Sequence, residues 1–150
     1  MIAAKSPAPE CGRYDSKFKI MPQSKQIENN NHHYSIGDEL YKEGKYRKAL
    51  LEFEKALSAT PTDCDTNWAI ASCYSELGKA DLAEKYYKKA LESCNENQKH
   101  DLSYNIGNAL FDQLKFIDSI QYYEGIPKTS SVYTKAKRNI KVAKRKIDRY

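Results

Sequence analysis

Four cysteines and three histidines are the residues of this chain best suited to nucleophilic or metal chemistry, and their spacing supports neither. Cys11, Cys64, Cys73 and Cys94 include no C-x-x-C pair and match neither zinc-ligand spacing nor a small disulfide scaffold. They read as reduced thiols, with Cys73 a small buried hydrophobe on a helix. His32 and His33 are adjacent, so on a helix they point in different directions, and His100 stands alone. No glycine-rich phosphate loop, no G-x-S-x-G and no H-E-x-x-H occurs. The expectation is a protein with no catalytic centre, metal or cofactor.

Recognition is a different matter. Polar-tipped rings and carboxylates alternate in three stretches: Tyr34, Asp38 and Tyr41; Asp65, Trp68, Ser72 and Glu76; Asp101, Tyr104, Asn105, Asn108, Phe111 and Asp112. Such rings offer large contact area at low entropic cost. Carboxylates beside them favour a partner carrying Lys or Arg, and asparagines can hydrogen-bond an extended main chain.

Positive charge is concentrated at one end. Residues 131–150 hold eight basic side chains against Asp148, a net of +7, so the other 130 residues carry −2 of the chain's +5. Lys137, Arg138, Lys141, Lys144 and Arg145 cover the polar side of this segment, opposite a stripe of Tyr133, Ala136, Ile140, Ala143, Ile147 and Tyr150. The spacing predicts a basic amphipathic helix over 130–150, capped by Ser130 or Ser131.

The elements that hold these residues are legible from a repeat. "ALLEFEKAL" begins at Ala49, "AEKYYKKAL" 34 residues later at Ala83, and a weaker "SIQYYEGIP" at Ser119. Ahead of each copy lies a second amphipathic phrase, ending in "KEGKY", "ELGKA" or "DQLKF". Small residues (Gly37, Ala49, Ala56, Ala71, Ala83, Ala90, Gly107) mark helix crossings, and Phe53, Tyr74, Tyr87 and Tyr123 fill the gaps. Each unit is then a helical hairpin that cannot bury both faces alone and must stack on its neighbours. The third unit is irregular. Leu114 replaces the turn glycine, Ser119 and Ile126 replace alanines, and Gly125 and Pro127 shorten its second helix.

This register of small and large residues resembles the tetratricopeptide repeat (TPR) over about two thirds of the chain. The resemblance implies an all-α, right-handed solenoid of three hairpins, at 30–63, 64–97 and 100–129, closed by a C-terminal capping helix. It also implies that the first helix of each hairpin lines a concave face. On that face the three stretches above would form an acidic, aromatic peptide-binding groove: five rings and five carboxylates with one lysine, Lys42. The alternative is that the acids only keep the face soluble while the rings pack inside. TPR domains that grip acidic heat-shock-chaperone tails use a clamp of Lys, Asn and Arg. The matching positions here are Tyr34, Asp38, Ala69, Asp101 and Asn105, none of which fits, so such tails are not the expected partner.

The expected partner is a protein or peptide segment, basic or neutral, with apolar anchors. Two other readings stay open: a dedicated chaperone resembling the TPR chaperones of bacterial secretion translocators, and an anionic partner or nucleic acid on the basic helix. Nucleic acid is disfavoured because few aromatics are interleaved there. Head-to-tail self-association, basic helix into acidic groove, is a further possibility. No apolar run is long enough to span a bilayer or to serve as a secretory core, which predicts a cytoplasmic protein. Residues 1–28 show no helical period and are expected to be a disordered tail.

Overall fold

The computed structural model describes the backbone of residues 25–149 and the side chains of residues 31–149. Seven α-helices and no strands are found among them: α1 (Lys25–Lys42), α2 (Tyr46–Ala59), α3 (Cys64–Glu76), α4 (Ala80–Ser93), α5 (Glu96–Asp112), α6 (Phe116–Glu124) and α7 (Tyr133–Asp148). Each helix packs on the next in sequence, and α1 also touches α3. The result is a solenoid of three hairpins, α1–α2, α3–α4 and α5–α6, followed by α7. The first helix begins at Lys25, so residues 25–28, expected as tail, are helical. The rest of that expected tail lies outside the described residues.

The crossings fall where small residues were expected. Ala49, Ala56, Ala71, Ala83 and Ala90 have no solvent exposure at all, which is what lets the paired helices approach. Phe53, Tyr87 and Tyr123 fill the adjoining space and are at most 2% exposed.

One turn is built three times. The Gly44 N–H donates to Tyr41 O and the Lys45 N–H to Leu40 O, both at 2.9 Å. Gly78 and Lys79 repeat the pair on Ser75 and Tyr74, and Leu114 and Lys115 repeat it on Phe111 and Leu110. This is the Schellman arrangement, which satisfies the last helical carbonyls but demands a left-handed residue. Its φ values are 80° at Gly44, 77° at Gly78 and 66° at Leu114. Leucine thus holds a conformation that glycine takes without cost.

The hairpin starts are capped by side chains. Asp63 accepts from the Thr66 N–H at 2.9 Å, and Asn95 with Gln98 forms a full capping box on α5. The serines before α7 work differently from the expectation. The helix starts at Tyr133 after Val132, and Ser130 Oγ accepts the Val132 N–H at 3.2 Å, one turn ahead of the helix.

The cysteine reading needs correction. Cys64, in the first turn of α3, and Cys94, the residue capping α4, form a disulfide with Cα atoms 5.1 Å apart. Antiparallel helices of 13 and 14 residues bring the chain back to where the hairpin began, so two distant cysteines meet at its open end. Cys73 is buried and takes no part in this disulfide, in keeping with its position in a packing slot. Cys11 lies outside the described residues.

Candidate peptide-binding face

The thirteen groove candidates all lie on α1, α3 and α5, the first helices of the three hairpins. Their rings are buried: Trp68 and Tyr104 are 1% exposed, Phe111 4%, Tyr41 5% and Tyr34 6%. Each has a reason in the hairpin. Tyr34 packs on Phe53 at 5.0 Å between ring centroids, Tyr41 edge-on to Tyr46 at 5.1 Å, Phe111 edge-on to Phe116 at 5.1 Å, and Tyr104 tilts against Tyr123 at 5.9 Å. Trp68 belongs to the main apolar cluster, which runs from α1 through to α5. These are contacts between first and second helices, a packing demand that a search for recognition residues does not register.

The carboxylates are the more exposed members. Asp112 is open to solvent, and Asp38, Asp65, Glu76 and Asp101 are partly so. Asp38 is 3.0 Å from the Lys42 ammonium one turn on. Two bridges cross between hairpins on this face. Tyr41 OH donates to Glu76 Oε2 at 3.3 Å, tying α1 to α3, and Gln98 Nε2 donates to Asp65 Oδ1 at 3.1 Å, tying α5 to α3. Ser72 is fully buried, its hydroxyl 3.5 Å from Tyr87 OH.

Asn105 and Asn108 are buried as well, at 2% and 4% exposure. Asn108 Oδ1 accepts from Tyr123 OH at 2.5 Å and from Asn139 Nδ2 at 3.2 Å. Asn139 lies on α7, and its amide is also 3.4 Å from both Tyr104 OH and Tyr123 OH. A four-residue polar knot therefore joins α5, α6 and α7. It fixes the rotational setting of α7, because any other setting leaves buried amides and phenols unpaired. Burial pushes the Tyr123 phenol well above its ordinary value, so it stays a neutral donor. Asn139 sits within the apolar stripe, and its part in holding α7 was not expected from the sequence. Its signal in the sequence was only an amide between Ala136 and Ile140.

Among the other titratable groups, burial raises Glu84 on α4, but hydrogen bonds from Lys88 and Gln113 outweigh it and hold the carboxyl low. Gln113 Nε2 reaches Glu84 Oε1 at 2.8 Å, a link between the second and third hairpins. His33 Nδ1 sits 3.0 Å from Glu52 Oε1 on α2, a contact within the first hairpin. No group of three His, Cys, Asp or Glu able to hold a metal lies together among the described residues.

On α7, Lys137, Arg138, Lys141, Lys144 and Arg145 are all exposed. Ala136 and Ala143 are buried, with Tyr133, Ile140 and Ile147 packed against the third hairpin's clusters. Tyr150, assigned to the same stripe, lies outside the described residues. No described helix is long and apolar enough to cross a membrane.

With this geometry in place, the chain can be compared with known proteins. The tetratricopeptide repeat family model matches residues 33–63 and 65–97. A stretch of 75 residues is 31% identical to the CTR9 homolog of Arabidopsis thaliana, covering 47% of this chain and 7% of that protein's length. The second TPR domain of human RPAP3, solved in complex with the HSP70 peptide SGPTIEEVD, superposes with a TM-score of 0.70 at 18% identity. That match covers 79% of this chain and 98% of the domain. The Sgt2 TPR domain from Aspergillus fumigatus gives a TM-score of 0.65 at 21% identity, over 79% of each chain. The third hairpin, not matched by the family model, repeats the turn of the first two, with a second helix of nine residues in place of fourteen.

Proposed function

We propose that this tetratricopeptide-repeat protein is a non-catalytic interaction module, holding a segment of another protein against the face formed by α1, α3 and α5. Supporting the reading above all is the placement of Asp38, Asp65, Glu76, Asp101 and Asp112 on the first helices of three successive hairpins. A row of carboxylates over a floor of packed rings suits a segment with Lys or Arg and a few apolar side chains. The carboxylates then supply selectivity and on-rate more than bulk affinity.

The RPAP3 domain carries an HSP70 peptide ending in Glu-Glu-Val-Asp. Here the positions that would need Lys, Asn and Arg hold Tyr34, Asp38, Ala69, Asp101 and Asn105. Like charges would face each other, so that peptide is not the ligand of this chain.

The test is selection on the full chain from a peptide library rich in Lys, Arg, Leu and Phe, with SGPTIEEVD as a second probe. Binders are expected from the library and none from the acidic peptide. Combining Asp38→Lys, Asp65→Lys, Asp101→Lys and Asp112→Lys should weaken the selected peptides about a hundredfold while the helical circular dichroism is retained. Binders indifferent to these changes, or tight binding of SGPTIEEVD, would overturn the reading.

A further inference from the structure

Three exposed large hydrophobic side chains are present among the described residues, and two of them, Leu114 at 68% and Ile117 at 64%, flank one turn. That turn is the third copy of the Schellman cap, where the first two copies have glycine. A leucine there is held in a left-handed backbone conformation that disfavours any side chain. Its side chain recovers little from the core, because two thirds of it stands in solvent. The fold alone would be better served by glycine.

Leu114 and Ile117 are part of a groove of about 570 Å³, whose other walls are Lys115, Phe116, Asp118 and Ile147. Phe116 and Ile147 pack with the third hairpin and α7, so the floor is firm. The lining itself is balanced in charge and has Asp112 and Asp148 close by in sequence, so the positive excess here comes from α7. Lys115 lines the groove against Asp118, and Lys144 lies on α7 one turn before Ile147 and on the same helix side. Exposed cations run along the rest of α7.

From these observations we infer that the turn at Leu114 and the end of α7 form a second docking surface, for an acidic segment of a partner protein with two or three aliphatic side chains. The aliphatic side chains lie against Leu114, Ile117 and Ile147, and the carboxylates face Lys115, Lys144 and the cations beyond. A second copy of the same surface is disfavoured, since it would bring two +7 segments together. Exposed apolar area rimmed by charge is the usual form of such a site. The two readings rest on different residues, and neither stands or falls with the other.

The test uses the full chain and a displayed library of short peptides built from Glu, Asp, Leu and Ile. Acidic binders are expected, and Leu114→Gly should weaken them roughly thirtyfold. Because glycine suits the backbone at this point, the same variant should melt at an unchanged or higher temperature. A structural role for Leu114 would move the melting point the other way. Ile117→Ser should weaken the peptides too, whereas Asp38→Lys with Asp101→Lys should leave them bound. Failure to select acidic binders, or binders unaffected by both Leu114→Gly and Ile117→Ser, would overturn the inference. So would sedimentation showing a self-associated chain that Leu114→Gly dissociates, since the occupant would then be a second copy.

Discussion

Reducing the Cys64–Cys94 disulfide, or replacing either cysteine by alanine, is expected to cost about 3–4 kcal/mol of stability. The two residues are 30 positions apart. In the unfolded chain a link of that span removes much of the loop's freedom, and the loss is restored to the unfolded state on reduction. The structural context magnifies the effect. The second hairpin is the middle of the array, so loosening it removes a neighbour from both the first and the third. Denaturant titrations with and without reductant would measure the difference. Cys64→Ala should then show no further loss when reductant is added, and a stability indifferent to reductant would contradict the paired state.

Gly107→Ala is expected to lower stability by about 2–3 kcal/mol, the opposite of its intrinsic tendency. Alanine in place of glycine inside a helix ordinarily adds about 1 kcal/mol. Here a methyl group on residue 107 would meet the Tyr123 ring at 2.5, 2.7 and 2.9 Å from three of its carbons. The ring has nowhere to go. It is 1% exposed, and its hydroxyl is held in the knot with Asn108 and Asn139. Ser119, on the same helix as Tyr123, donates to Gly107 O at 2.8 Å and fixes the approach of α6 to α5. A double-mutant cycle isolates the contact: in a Tyr123→Leu background the alanine should cost at least about 1 kcal/mol less. A neutral or stabilising Gly107→Ala would show that α5 and α6 can slide apart.

Gly37 and Gly107 illustrate how much of the fold could be read from residue types. A periodic small residue opposite a periodic large one is enough to specify two helices in close contact, and Gly37 does face Phe53 as the register implies. The turns were legible for the same reason, since glycine followed by lysine recurs at 44–45 and 78–79. The disulfide was not legible from spacing. Its two cysteines are brought together by the return length of a hairpin, a quantity that exists only once both helices are drawn. Asn139 was hidden by its size, because one amide inside an apolar stripe leaves the periodicity intact.

The binding face shows the limit most clearly. Tyr34, Tyr41, Trp68, Tyr104 and Phe111 were picked by their slot on the first helices, and they do lie there. Yet a slot fixes only a side chain's direction. Rings as large as these also reach the second helix, and contact with Phe53, Tyr46, Tyr123 and Phe116 determines how Tyr34, Tyr41, Tyr104 and Phe111 rest. Short acidic side chains such as Asp38 and Asp112 have no such reach, so slot and exposure coincide better for them.

Trp68 is the chain's single indole, and it lies near the centre of the array with 1% of its surface exposed. Its emission is therefore that of a chromophore in an apolar environment that also holds the Cys64–Cys94 pair, and it reports on the packing of the middle hairpin against its neighbours. Fraying of α7, whose apolar contacts lie in other clusters, stays dark to this probe, while a red shift in its fluorescence marks the moment the middle gives way.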